Sequence, residues 1–113
     1  MQKEYRLSKN EQFTRVYKRG KSMANHQFAL YYLPNGLDHF RLGISASKKI
    51  GNAVVRNRLR RMIKEIMRLH AEQVDGSCDL IVIVRKAAVE MAYAELDKSL
   101  MHVLKKAGLF KRK

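Results

Sequence analysis

The segment from Lys48 to Arg68, Lys-Lys-Ile-Gly-Asn-Ala-Val-Val-Arg-Asn-Arg-Leu-Arg-Arg-Met-Ile-Lys-Glu-Ile-Met-Arg, holds eight basic residues and one acid, Glu65. At about 100° per residue, Val55, Leu59, Met62, Ile63 and Ile66 point one way along a helix, and Asn57, Arg60, Arg61, Lys64 and Arg68 nearly the opposite way. One side is therefore core and the other cationic. A solvated helix usually intersperses acids that relieve repulsion through i,i+4 pairs, and this stripe has almost none. Arginine presents a planar fork of donors that matches phosphate oxygens in pairs, so a cluster of Arg suits structured RNA better than a diffuse Lys tail does. Asn57 adds a side-chain donor and acceptor among the cations. A membrane-surface helix would usually carry Trp or Phe at its apolar boundary, and this one has no aromatic residue. DNA recognition by a basic helix after a turn is the closer competitor, but a strand on each side argues against a helix-turn-helix.

A second chemistry is aromatic. Phe13 and Tyr17 lie one helical turn apart, and Tyr31 falls on a nearby strand. If Phe28, Leu30 and Tyr32 point into the core, strand alternation turns Gln27, Ala29 and Tyr31 to the other face. Ser45 and Ser47 could share that face and leave room for a ligand. Rings beside cations suit single-stranded nucleic acid, whose bases stack and whose phosphates need Arg or Lys. Three ordinary core aromatics remain the alternative. For catalysis the residues offer little: no carboxylate cluster fits a two-metal site, and Glu11, Glu65, Glu90 and Glu95 have plainer helical roles. No Cys and His spacing matches a zinc site, and the single cysteine, Cys78, reads as a small residue beside a strand.

These groups need a scaffold. Ser8 followed by Glu11 predicts a capping box opening a helix toward Gly20, which can supply a left-handed stop. His26 to Leu33 is rich in strand formers, and Pro34-Asn35-Gly36 gives a turn. A strand from about Phe40 places Leu42, Ile44 and Ala46 on one face and Arg41, Gly43, Ser45 and Ser47 on the other. The five-residue loop Pro34 to Asp38 predicts that these two strands form an antiparallel hairpin. Asn52 caps a helix from Ala53 to about His70. Asp79 to Arg85 is a continuous apolar run that predicts a buried central strand. A last helix spans roughly Ala92 to Ala107, with Leu96, Leu100, Val103 and Leu104 as its apolar stripe and Gly108 as C-cap. The order helix, strand, strand, helix, strand, helix predicts an α+β two-layer sandwich with a mixed sheet. The βαβ unit within it defaults to a right-handed crossover.

Composition agrees. A chain of 113 residues with 24 Lys and Arg against 10 Asp and Glu has a formal charge of +14, tolerable beside a polyanion. The hydrophobic fraction of 46% argues against a disordered basic tail. One domain is expected over residues 1–113, with short basic tails at about 1–6 and 109–113. No segment approaches the roughly 20 apolar residues that span a bilayer, and Met1 to Lys9 has no apolar signal core, so a cytoplasmic protein is expected. Composition alone does not separate an RNA-processing subunit from a ribosomal or architectural RNA binder. A stacking cleft would, because a structural binder has little use for one.

The run Ser45-Ala46-Ser47-Lys48-Lys49-Ile50-Gly51-Asn52-Ala53-Val54-Val55-Arg56-Asn57-Arg58 resembles the bacterial ribonuclease P protein family, whose signature is Arg-Asn-Arg with this lead-in. Leu7 to Phe13, Arg19-Gly20-Lys21-Ser22 and the Asp79 to Lys86 strand agree, and the resemblance covers Arg6 to about Leu109. It implies a ribosomal protein S5 domain 2-like fold with a left-handed βαβ crossover, against the default. It also implies that the protein is not itself the catalyst, and no residue is assigned as catalytic or as a metal ligand. The partner catalytic RNA holds the active-site Mg2+ and cleaves precursor tRNA. Phe13, Tyr17 and Tyr31 would line a cleft for the single-stranded 5′ leader, with Lys49, Arg56 and Asn57 at its rim. Arg58, Arg60, Arg61, Lys64 and Arg68 would mainly grip the catalytic RNA; neither DNA nor membrane is an expected partner. Tyr17 stands where Phe is frequent, keeping a stacking ring, and Ala92 replaces a more usual capping residue.

Overall fold

A computed structural model describes residues 5–111; the outer parts of both expected basic tails lie outside the described residues. The chain runs α1 (Asn10–Arg19), β1 (Lys21–Ala24), β2 (Phe28–Pro34), β3 (Arg41–Ser45), α2 (Ala53–Leu69), β4 (Cys78–Val84) and α3 (Tyr93–Lys106). The four strands lie in the order β1-β2-β4-β3. β4 is antiparallel to β2 and parallel to β3.

The expected hairpin between β2 and β3 does not form, because β4 lies between them. Its Leu80, Ile81 and Val82 are fully buried, and a strand apolar on both faces gains most in the middle of a sheet. The β2–β3 loop instead straps the start of β4: Asn35 N–H donates to the Ser77 carbonyl at 2.9 Å, and its side-chain amide donates to Asp79 Oδ1 at 3.0 Å. β1 was not expected at all. Lys-Ser-Met-Ala has no strand-forming signature; the strand exists because Asn25 Oδ1 accepts from Gln27 and Phe28 N–H at 3.1 and 2.8 Å and folds β1 back on β2.

Alternation across the sheet separates two cores. Phe28, Leu30, Leu42, Leu80 and Val82 face α2 and α3 in the main core. Leu59, Ile63, Ile66 and Met67 of α2 and Leu96, Leu100, Val103 and Leu104 of α3 are buried there, each stabilising by about 1.5–3 kcal/mol on full burial. On the opposite face α1 adds a partial third layer, where Leu7, Val16 and Ile81 form a smaller core with Phe13, Tyr31, Leu33 and Ile83 around it.

Both ends of α1 depart from expectation. The helix starts one residue late, with Lys9 as N-cap, and Gln12 Oε1 rather than Glu11 reaches back to accept from Ser8 and Lys9 N–H, each at 3.1 Å. The preceding chain is held extended, since Leu7 N–H donates to the Leu42 carbonyl at 2.9 Å. Gly20 is extended (φ −78°, ψ 166°), not left-handed, as the chain enters β1 directly. A Cβ there would sit 2.5 Å from the Val16 carbonyl oxygen and 2.7 Å from that of Tyr32, so only glycine fits this junction. Elsewhere the caps are as expected: Asn52 Oδ1 accepts from Val55 N–H at 3.0 Å, and Gly108 (φ 75°) follows α3 in the left-handed region.

Candidate nucleic-acid interface

The sheet face away from the main core carries rows of side chains fixed by register. Ser22, Tyr31, Ile81 and Gly43 make one row; Ala24, Ala29, Ile83 and Ser45 make the next. α1 packs on this face, with Val16 buried beside Ile81. Phe13 rests on Gly43, where an added Cβ would lie 2.5 Å from the ring. Tyr17, one turn on, meets Tyr31 edge to face, with centroids 5.1 Å apart and planes at 74°. The second row, of small or aliphatic side chains, floors an open strip beside these two rings. Tyr17 is 41% exposed. Burial pushes its phenol above the usual value against the pull of a hydrogen bond with the Ser45 side chain, so near neutral pH it remains a protonated donor. The strip offers aromatic planes and hydroxyls to a base, without a carboxylate in either row.

A buried anion links α1 to the sheet. Asp79, at 0% exposure, accepts two 2.7 Å bonds from Arg41 Nε and Nη2, one of 3.0 Å from Asn35 and one of 3.3 Å from Arg15 of α1. Burial alone would push this carboxyl up, but the Arg41 and Asn35 hydrogen bonds, with Arg15, outweigh it and hold the pKa below the ordinary aspartate value. Arg41 is raised in turn, chiefly by its hydrogen bond to Asp79. Sequence reasoning passed over this cluster, because Arg41 and Asp79 become neighbours only through the β3–β4 pairing.

The basic side of α2 divides into spent and open cations. Arg58 Nη2 donates to the Val89 carbonyl at 2.8 Å, and Arg68 is paired with Glu65. Arg61 is exposed, and Arg60 makes only a long 3.4 Å contact with Asn57 Oδ1. Arg60 and Lys64 do not simply face solvent. They line one groove with Arg6, Leu7, Phe13, Leu42, Gly43 and Ile44, along the outer edge of β3. Lys49 lies in a single 3-10 turn after β3, and Arg56 and Asn57 begin α2; among the described residues no hydrogen bond or ring contact joins these three to the aromatic side chains. Arg56 Nε is buried without a partner among the described residues.

The family model described as Ribonuclease P matches residues 1–108. The ribonuclease P protein component of Staphylococcus haemolyticus is 51% identical over 113 residues, covering 100% of this chain and 98% of that one. That of Bacillus cereus is 47% identical over 110 residues, covering 96% of both. The chain belongs to the ribonuclease P protein family. Solved structures agree: the Staphylococcus aureus RNase P protein superposes with a TM-score of 0.88 at 48% identity, covering 95% of this chain and 98% of that one. The Thermotoga maritima RNase P protein gives 0.84 at 32%, covering 89% and 96%.

Ribonuclease P proteins are components of a ribonucleoprotein endonuclease that processes tRNA, so this chain is an RNA-binding protein of that enzyme. Among the described residues no group of three or more His, Cys, Asp or Glu could hold a metal ion, and no helix is long and apolar enough to cross a membrane. The ribonuclease P scaffold also adds a cation that sequence reasoning left out. Asp79, Ile81 and Ile83 share the α1 side of β4, and the same alternation brings Arg85 to the end of the floor. Its N–H donates to the Gln27 carbonyl at 2.9 Å, and one guanidinium N–H donates to the Asn25 carbonyl at 3.2 Å. Counting in twos from Ile81 would have found it.

Proposed function

We propose that this chain binds the catalytic RNA of ribonuclease P and the single-stranded 5′ leader of precursor tRNA, and so helps the RNA remove that leader. The observation that carries the reading is the strip floored by Ala29, Ile83 and Ser45 and walled by Tyr17 and Tyr31, with centroids 5.1 Å apart. Aromatic planes above a floor of small side chains take unpaired bases of any sequence. Phe13, Tyr17 and Tyr31 bind the leader in this reading, with Lys49, Arg56 and Asn57 taking its phosphates at the rim. Arg58, Arg60, Arg61, Lys64 and Arg68 contact the catalytic RNA, Arg60, Arg61 and Lys64 most strongly because their charges are least engaged within the protein. Mg2+ belongs to the RNA partner, which supplies the hydrolytic chemistry. The protein selects precursor over product, since the leader is what the product lacks.

The test mixes purified protein, catalytic RNA and precursor tRNA at low magnesium, where protein-assisted binding limits the rate. Cleavage at the mature 5′ end should be stimulated when protein is added, and the stimulation should largely vanish on a substrate whose leader is cut back to a single nucleotide. Cleavage by protein without RNA would overturn the reading.

A further inference from the structure

The groove at the edge of β3 has a composition that neither surface accounts for. β3 is the outer strand of the sheet, and among the described residues its free side is covered only at the start, by Arg6 and Leu7. Because the Leu42 carbonyl points outward to Leu7, alternation points the N–H and carbonyl of Ile44 outward too, and neither bonds to another described residue. The groove there holds about 160 Å3; among the described residues its lining includes a further, exposed cation, Arg6, and no carboxylate. Opposite Ile44 stand Arg60 and Lys64, one turn apart and both partly buried. Lys64 has no hydrogen bond or ion pair with any described residue, and Arg60 has only its 3.4 Å contact with Asn57. Partly desolvated cations that meet no carboxylate among the described residues are unfavourably placed, and an entering anion removes that deficit. A free N–H beside two cations in a concavity is phosphate chemistry, with arginine able to bind two oxygens at once. Phe13 adds an apolar ring to the lining, suited to a ribose or base.

We propose that the β3-edge groove binds one backbone phosphate of unpaired RNA, held by Lys64, Arg60 and the Ile44 N–H. The assignment rests on the RNA-binding reading above and turns Arg60 and Lys64 from a general grip into a defined subsite that shares Phe13 with the aromatic strip. The leader and an unpaired stretch of the catalytic RNA offer the same phosphodiester.

Single phosphates are replaced by uncharged methylphosphonates, one at a time, in the leader and, in a second series, in unpaired segments of the catalytic RNA. Binding is then measured with wild-type, Lys64→Gln and Lys64→Arg proteins, whose folding is checked by thermal melting. At one position the neutral linkage should weaken wild-type binding about tenfold, the size of one lost charge-assisted hydrogen bond. Lys64→Gln should not respond there, Lys64→Arg should, and Arg60→Gln should respond weakly. The series containing that position identifies the strand. If Lys64→Gln instead lowers binding by one factor at every position in both series, the cations act as a diffuse field and the subsite does not exist. Absence of any leader dependence in unmodified wild type would overturn the leader reading alone, because the catalytic-RNA series would still decide the groove.

Discussion

Replacing Tyr31 removes a ring whose two environments can be separated. On one side it stands in register with Ile81 and meets Tyr17 at 5.1 Å; on the other it borders the open strip. The Tyr17 contact is worth about 0.5–1.5 kcal/mol to the protein. A base stacked on the ring is worth about 1–3 kcal/mol to the complex. At about 1.4 kcal/mol per decade, the second figure is roughly a five- to 150-fold loss of affinity for leader-bearing precursor. Tyr31→Ala also bares Ile81, so it is paired with Tyr31→Leu, which refills the small core without offering a π face. Equilibrium binding of reconstituted holoenzyme to precursor and to mature tRNA supplies the assay, and the ratio of the two affinities is the quantity of interest. Both variants should reduce that ratio while leaving affinity for mature tRNA nearly unchanged. Equal losses for precursor and product, or a Tyr31→Leu protein that discriminates like wild type, would refute stacking as the source of selectivity.

Arg60→Ala combined with Arg61→Ala should weaken assembly with the catalytic RNA and flatten its salt dependence by about one unit of log–log slope per lost phosphate contact; an unchanged slope in filter-binding titrations would point to other residues. Gly43→Ala places a methyl 2.5 Å from the Phe13 ring and 3.3 Å from Leu7 Cβ. Urea unfolding should show a loss of about 1–3 kcal/mol from overpacking, and leader discrimination should fall as α1 shifts; Phe13→Leu in the same chain should recover stability but not discrimination. Arg41→Met leaves Asp79 without its bidentate partner and should cost about 3–5 kcal/mol, whereas Arg15→Ala, at a half-exposed 3.3 Å contact, should cost less than about 1 kcal/mol. Since folding lowers the Asp79 pKa, its contribution is complete above the ordinary aspartate value of about 3.9 and is lost as pH falls through the lower folded value. An Asp79→Asn protein should therefore show a flatter decline of stability in acid than wild type, read from urea midpoints across that range.

What could be read from the sequence was what repeats along one element. The helical period in Leu59, Ile63 and Ile66 and the strand alternation in Phe28, Leu30 and Tyr31 are local, and the structure buries each side as that periodicity requires. What could not be read was which strand lies beside which. A five-residue loop after β2 makes a hairpin the cheapest closure, yet the doubly apolar β4 gains more by entering between β2 and β3 than the loop loses by spanning its end. The Asp79 cluster was hidden for the same reason, being made of residues from β4, β3, α1 and a loop. β1 was hidden differently: its four residues have no periodicity, and only the Asn25 turn makes them a strand.

Within the site, sequence position could list the cations but not tell which ones are already engaged. Arg58 and Arg68 donate to groups of the protein itself, so the charge left for a partner concentrates on Arg60, Arg61 and Lys64. Of these, Arg60 and Lys64 stand against the edge of β3, the strand whose Gly43 supports Phe13 and whose Ser45 hydroxyl acts on the Tyr17 phenol. The aromatic strip and the open cations thus share a strand as a common wall instead of occupying remote faces. A displacement of β3 moves both at once, and Arg41, locked onto Asp79 at 2.7 Å through two bonds, resists that displacement. The proposed binding of leader and catalytic RNA needs this rigidity, because a ring or guanidinium displaced by an ångström would lose its stacking or phosphate contact.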